Sequence, residues 1–259
     1  MRTLQAIRYV SPLREGGSLP AIVEGSDGGL WVVKFRGAGQ GARALVAEWI
    51  CGEIARACGF AVPELARLDL DEAFGRNEPD PEIRDLLRAS HGANLGLAFL
   101  PGALTYDPVA PPDVGESLAS ELVWFDAFVL NVDRSPRNPN LLLAEGRLWL
   151  IDHGAALYFH HAWGAAAKSH ESVFAPIRDH VLLPRAGAIR AAGERLAKAI
   201  AATDVRALLA ALPDAWLEAA DAPGDPAATR EAYARWFAAR LAAAEIFTAE
   251  AERARTALV

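Results

Sequence analysis

The order of apolar and polar positions divides the chain into a strand-rich first half and a helix-rich second half. Residues 4–10 form a short, mostly apolar run, followed by a loop over 11–18. Ala21-Ile22-Val23 predicts a second strand. Ser26-Asp27-Gly28-Gly29 then reads as a hairpin turn, because glycine next to aspartate supplies the positive φ that such turns need. Residues 30–35, with Trp31, Val32, Val33 and Phe35, predict a third strand ending near Lys34. Glycines at 37, 39 and 41 break it, and residues 43–58 carry a helical pattern that Gly59 stops. A strand over 64–70, a polar stretch over 72–94 with a short helix at 83–88, and an apolar strand at 95–100 complete this half. Pro101-Gly102 ends that strand, and the proline-rich segment 108–115 marks a crossover between two lobes.

From there the period becomes helical. Residues 118–130 form an apolar helix ending at Asn131. Two apolar runs, 141–143 and 148–151, flank Ala144-Glu145-Gly146-Arg147 and predict a β-hairpin. After about residue 175, alanine-rich helices dominate. Asp225-Pro226 is a helix start, with an N-cap carboxylate and a proline where no N–H is needed. The last helix carries Tyr233, Phe237 and Leu241 on one face.

Composition narrows the class. The 259 residues are 52% hydrophobic and 23% charged, enough apolar material to exclude disorder or a fibre. A net charge of −7 argues against general affinity for nucleic acid or an anionic membrane. Cys51 and Cys58 lie roughly 10 Å apart along one helix, too far for a bridge. With no apolar leader and no long uncharged apolar run, the expectation is a cytoplasmic protein. Only three of 26 basic residues are lysines: Lys34, Lys168 and Lys198. A lysine kept in an arginine-rich chain suggests a need for a compact point charge.

The densest chemistry lies in residues 131–154. Three of the five asparagines (Asn131, Asn138 and Asn140) fall within ten positions. Asp133 and Asn138 stand five apart on a loop, and Asp152 follows the predicted hairpin. Phosphoryl transfer from a nucleotide needs a carboxylate to orient or deprotonate the acceptor hydroxyl. It also needs an amide oxygen and a second carboxylate to hold magnesium on the phosphates. Kinases place these groups at this offset and in this order. Asp133 fits the first part, Asn138 and Asp152 the metal, and Lys34 a cation for the phosphates. Each piece alone has a plainer reading as turn or edge chemistry. The order of all the pieces together is that of a kinase.

These residues resemble the HipA-like kinases, in particular the short HipA-like domains. The resemblance is carried by Val32-Val33-Lys34-Phe35, by residues 46–50 and 59–63, by residues 125–134 through Asn138-Pro139-Asn140-Leu141, and by Leu150-Ile151-Asp152-His153-Gly154. The loop motifs also look like those of phosphoinositide kinases. The resemblance implies an α+β, two-lobed protein-kinase-like fold. A small β-rich N-lobe would span residues 1–105 and a larger helical C-lobe residues 106–259. It implies ATP and Mg2+, with Asp133 as the catalytic carboxylate, Lys34 on the phosphates, and Asn138 and Asp152 on the metal. Glu48 would pair with Lys34, Gly16, Gly17 and Ser18 would lie over the phosphates, and backbone groups at Phe99 and Leu100 would meet the adenine. Helical periodicity does not choose between Glu48 and Glu53 as the lysine partner; the family pattern favours Glu48.

Several features depart from the usual kinase pattern. Glu15-Gly16-Gly17-Ser18 replaces a G-x-G-x-x-G loop, Asn131 stands where His is usual, and His153 replaces the Phe of Asp-Phe-Gly. No Ala-Pro-Glu closes an activation segment. The expected reaction is phosphoryl transfer to a protein serine or threonine hydroxyl. Alternatives are a small-molecule phosphotransferase, a nucleotidyl transferase, or a silent nucleotide-binding module. Retention of Lys34, Asp133, Asn138 and Asp152 together argues against the last. His153, His160, His161 and His170 lack zinc-binding spacing, and no G-x-S-x-G elbow suggests a hydrolase.

Overall fold

Period-two burial builds the first half. In β2 (Ala21–Gly25) every second residue is buried, and β3 (Leu30–Lys34) buries Trp31 and Val33. These strands pair antiparallel, Ala21 with Val33 and Glu24 with Leu30. The turn between them closes where Gly25 N–H donates to Gly29 O at 2.9 Å, with Gly28 at φ +77°. The coordinates form a computed structural model that describes residues 1–13 and 19–258.

β1 (Arg2–Pro12) pairs antiparallel with β2, while its first residues run parallel to β4 (Leu65–Leu70). β5 (Gly92–Ala98) pairs antiparallel with both β3 and β4. The order β1-β2-β3-β5-β4 therefore closes into a barrel, so β3 has a hydrogen-bonded neighbour on each side. Leu4, Val23, Trp31 and Leu68 fill its apolar core, joined by Ile83 and Leu87 of α2 (Pro81–Ala89). Gly96 keeps that core closed, since a Cβ there would lie 2.3 Å from Leu68 Cδ1.

A second, larger core surrounds α1 (Gly41–Ala57) and α3 (Glu116–Val129), where Phe60 meets Phe125 at 5.4 Å. α1 is buried without a break from Leu45 to Gly52, so it has no single apolar face. Cys51 and Cys58 are free, and burial pushes both thiols up, that of Cys58 to about 12. A three-stranded sheet of β6 (Leu104–Thr105), β7 (Leu141–Ala144) and β8 (Arg147–Leu150) stands apart from the barrel. It is tied to the end of the α1 region where Leu150 N–H donates to Ala61 O at 2.8 Å.

Between β8 and α4 (Ile189–Ala202) the chain runs through 3-10 turns at Tyr158–Glu171, Ala175–Asp179 and Leu183–Arg185. The helical pattern expected from about residue 175 therefore starts later, at Ile189. Pro176, Pro184 and a left-handed Phe174 keep the intervening chain out of α-helix. α5 (Val205–Ala210) and α6 (Pro226–Ala242) follow, and Asp225 caps α6 by accepting from Ala228 N–H at 2.8 Å. Tyr233 and Phe237 are buried as the spacing predicts, and Leu241 packs partly buried on the same core. The last helix is not α6, however. The chain turns at Ala243 and continues as α7 (Ala244–Thr256). The run Ala242-Ala243-Ala244 carries no stop signal. Packing sets the break, with Phe247 against Trp124 at 5.2 Å and under the Arg240 guanidinium at 4.1 Å. Among the described residues no helix is long and apolar enough to cross a membrane.

Candidate active site

Lys34 ends β3, which points its side chain out of the barrel core and toward α1 and the segment after β8. Its Nζ donates to Glu48 Oε2 at 2.6 Å and to Asp152 Oδ1 at 2.5 Å. The Lys34 and Glu48 side chains are 12% and 0% exposed, whereas Asp152 is 41% exposed. Burial alone would lower the lysine and raise the glutamate. Mutual attraction outweighs it: Lys34 is held well above its ordinary value and Glu48 at about 2. Glu53, the other candidate from the helical pattern, turns away and pairs with Arg56. Asp152 takes a left-handed backbone, φ +56°, two residues after the end of β8.

Asp133 and Asn138 meet within their own loop. Asn138 Nδ2 donates to both Asp133 oxygens at 2.9 Å, leaving the amide Oδ1 without a hydrogen bond among the described residues. Below them lies a buried anchor. Asp126, on α3, accepts from Arg134 Nε at 2.5 Å, His180 Nε2 at 2.9 Å and Asn131 Nδ2 at 3.0 Å. Burial would raise the Asp126 carboxyl, but Arg134 and His180 bring it to about 2. Asn131 also accepts from Asp133 N–H at 3.1 Å, so the residue standing in the usual histidine position fixes the loop that carries Asp133.

Asn140 joins the two halves of the site. Its side chain donates to Asp133 O at 2.6 Å, and its carbonyl accepts from Arg134 at 2.5 Å and from Ile151 N–H at 3.2 Å. The backbone beside Asp152 is thereby tied to the loop that carries Asp133. Arg240 braces the same region from behind. It donates to the carbonyls of Ala127, Phe128, His170 and Ser172, and its burial lowers its pKa to about 9.

Lys34 is thus in direct contact with both Glu48 and Asp152, and Asp133 with Asn138. Phe99 and Leu100 are half-buried just after β5, where Phe99 N–H donates to Leu30 O at 2.9 Å. Gly16, Gly17 and Ser18 lie outside the described residues. The sequence reading gave no role to Asp126, Arg134, His180 or Asn140. Asp126 had a visible signal, a lone carboxylate inside the apolar run Leu122 to Leu130. His180 had none, because only the path of the chain after Gly154 brings it back to α3. His160 is buried against Tyr233 at 2.8 Å. No group of three or more His, Cys, Asp or Glu among the described residues could hold a metal. The open donors suit a smaller demand: Asp152 and the Asn138 amide offer hard oxygens, the type Mg2+ takes in ones and twos when phosphates supply the rest.

The family model described as HipA-like kinase matches residues 7–244 of the chain. Among solved structures, the proinflammatory kinase CtkA of Helicobacter pylori superposes with a TM-score of 0.60. That match is 11% identical and covers 97% of this chain and 98% of CtkA. No curated protein matches.

Proposed function

The chain belongs to the HipA-like kinase family, and from that premise we propose that it transfers the γ-phosphoryl group of ATP, with Mg2+, to a protein serine or threonine hydroxyl. The observation that carries the reading is the double contact of Lys34. A lysine on a barrel strand reaches a helix carboxylate 14 positions on and a strand-end carboxylate 118 positions on. No local turn chemistry demands that juxtaposition. A phosphate-binding lysine, oriented by one carboxylate and set beside a metal-binding one, does.

In this reading the barrel side, residues 1–105, and the helical side, residues 106–259, are two lobes with nucleotide between them. Lys34 holds the non-transferred phosphates and Glu48 orients Lys34. Asp133 accepts the proton of the acceptor hydroxyl, and its tie to Asn131 and Asn140 keeps it in place for that task. Asn138 and Asp152 are the residues that would hold Mg2+, which when bound neutralises charge on the phosphates. The backbone at Phe99 and Leu100 meets the adenine, and Gly16-Gly17-Ser18 covers the phosphates.

Incubation with γ-labelled and with α-labelled ATP, with and without cell lysate, tests the proposal. Label from the γ position on serine or threonine of a protein supports it. Transfer of α label would make the protein a nucleotidyl transferase, and label on a small molecule would replace the acceptor class.

A further inference from the structure

Glu48 is satisfied on one side only. Its Oε2 accepts from Lys34, but its Oε1 is fully buried and has no hydrogen-bond partner among the described residues. The ring of His153 is fully buried as well, and neither of its nitrogens is partnered among the described residues. The two lie together, His153 Nδ1 standing 3.7 Å from Glu48 Oε1. A carboxylate oxygen in a dry site requires a donor, and leaving both groups unmade is costly. Only the tautomer with hydrogen on Nδ1 meets that need, because a ring lone pair would face a full negative charge.

The ring is also held in place for this role. It meets Phe125 edge-on, at 6.3 Å and 89°, and Phe125 precedes the Asp126 that anchors the catalytic loop. We propose that His153 is a positioning residue, donating Nδ1–H to Glu48 Oε1 and so fixing the carboxylate that orients Lys34. Closing the gap to a hydrogen-bond length takes a shift of about 0.8 Å. The role matters when Asp152 turns from Lys34 to other work, since Glu48 is then the remaining carboxylate on the lysine. The inference rests on the proposed phosphate role of Lys34, and it explains why histidine can stand where phenylalanine is usual. Phenylalanine would fill the space but leave Oε1 without a donor.

Nitrogen-15 histidine spectra of the full chain without nucleotide test the hydrogen bond itself, with His153→Asn assigning the resonance. The wild type should show His153 with hydrogen on Nδ1. In Glu48→Gln the amide oxygen should stay on Lys34 and turn the NH2 group toward the ring, which should switch the hydrogen to Nε2. Hydrogen on Nε2 in the wild type, or no switch in Glu48→Gln, would overturn the proposal. This readout needs no nucleotide, so it fails or stands apart from the kinase reading. Calorimetry with Mg2+ and a non-hydrolysable ATP analogue tests the positioning. His153→Phe, which keeps the ring and its contact with Phe125, should weaken binding on the order of tenfold. His153→Asn, which restores an amide donor, should recover most of that loss. In a Glu48→Leu background, which leaves no polar group for the ring to hold, His153→Phe should add nothing. Equal losses for Phe and Asn, or the same loss in both backgrounds, would make the role merely structural and overturn it.

Discussion

Lys34 spends its charge on two carboxylates with little water to help it, so replacing it exposes what each partner needs. Lys34→Met leaves Glu48 fully buried and without its cation. We expect a loss of stability of about 3–5 kcal/mol, the scale for stranding one member of a buried pair. Urea unfolding measures it, and Glu48→Leu added to Lys34→Met should return a large part. A loss below about 1 kcal/mol, the scale of an exposed pair, would mean that water reaches Glu48. The same pairing predicts an acid limb. Glu48 and Asp126 are both held at about 2, below their ordinary values of 4.5 and 3.8. Their contribution is therefore present above the ordinary carboxylate range and is lost as pH falls from about 4.5 toward 2. Lys34 is raised, so its contribution is complete below its ordinary 10.5 and fades only above it. Stability measured by denaturant at a series of pH values should fall through that acid window, and Glu48→Gln should flatten the fall. An equal slope in wild type and Glu48→Gln would remove Glu48 from the account.

At the scale of elements, the local signals in the chain were good where they were strong. Asp225-Pro226 began α6, Gly59 followed α1 at φ +93°, and the turn at residues 26–29 closed β2 on β3. They failed where tertiary packing decides. α1 is buried all round, so no periodicity could choose Glu48 over Glu53; only the position of Lys34 does so. The left-handed residues Leu157 and Phe174 are neither glycine nor asparagine, and the turns they start had no readable mark. The crossing of α3 and α4 shows packing overriding propensity. Alanine is a better helix former than glycine by about 1 kcal/mol. Yet a Cβ on Gly193 would lie 2.3 Å from Trp124 Nε1, whose N–H is already committed to Thr248 at 2.8 Å. Gly193→Ala should therefore destabilise the protein, by about 1–3 kcal/mol, as overpacking does. A thermal-unfolding shift upward would show that Trp124 can move.

Across the whole molecule, the sequence made the parts legible but not their closure. Alternation announced the strands, while the parallel contact of Arg2 to Gln5 with Ala66 to Asp69, which closes the barrel, joins residues more than sixty positions apart. The candidate site was legible as Lys34, Asp133, Asn138 and Asp152 because these side chains recur as kinase chemistry in a fixed order. Its support was not legible, since Arg134, His180 and Asn140 act through hydrogen bonds that only the folded chain creates. What binds the account together is the claim that Asp133 acts on the acceptor and not on the nucleotide. Asp133→Asn keeps the size and can still accept from Asn138, but loses the charge and basicity. ATP affinity by calorimetry and phosphoryl transfer from γ-labelled ATP, measured on one preparation, test the claim directly. Transfer should fall by roughly 10²-fold or more, the scale of a positioned general base, while ATP affinity stays near that of the wild type. Near-wild-type transfer by Asp133→Asn would contradict it.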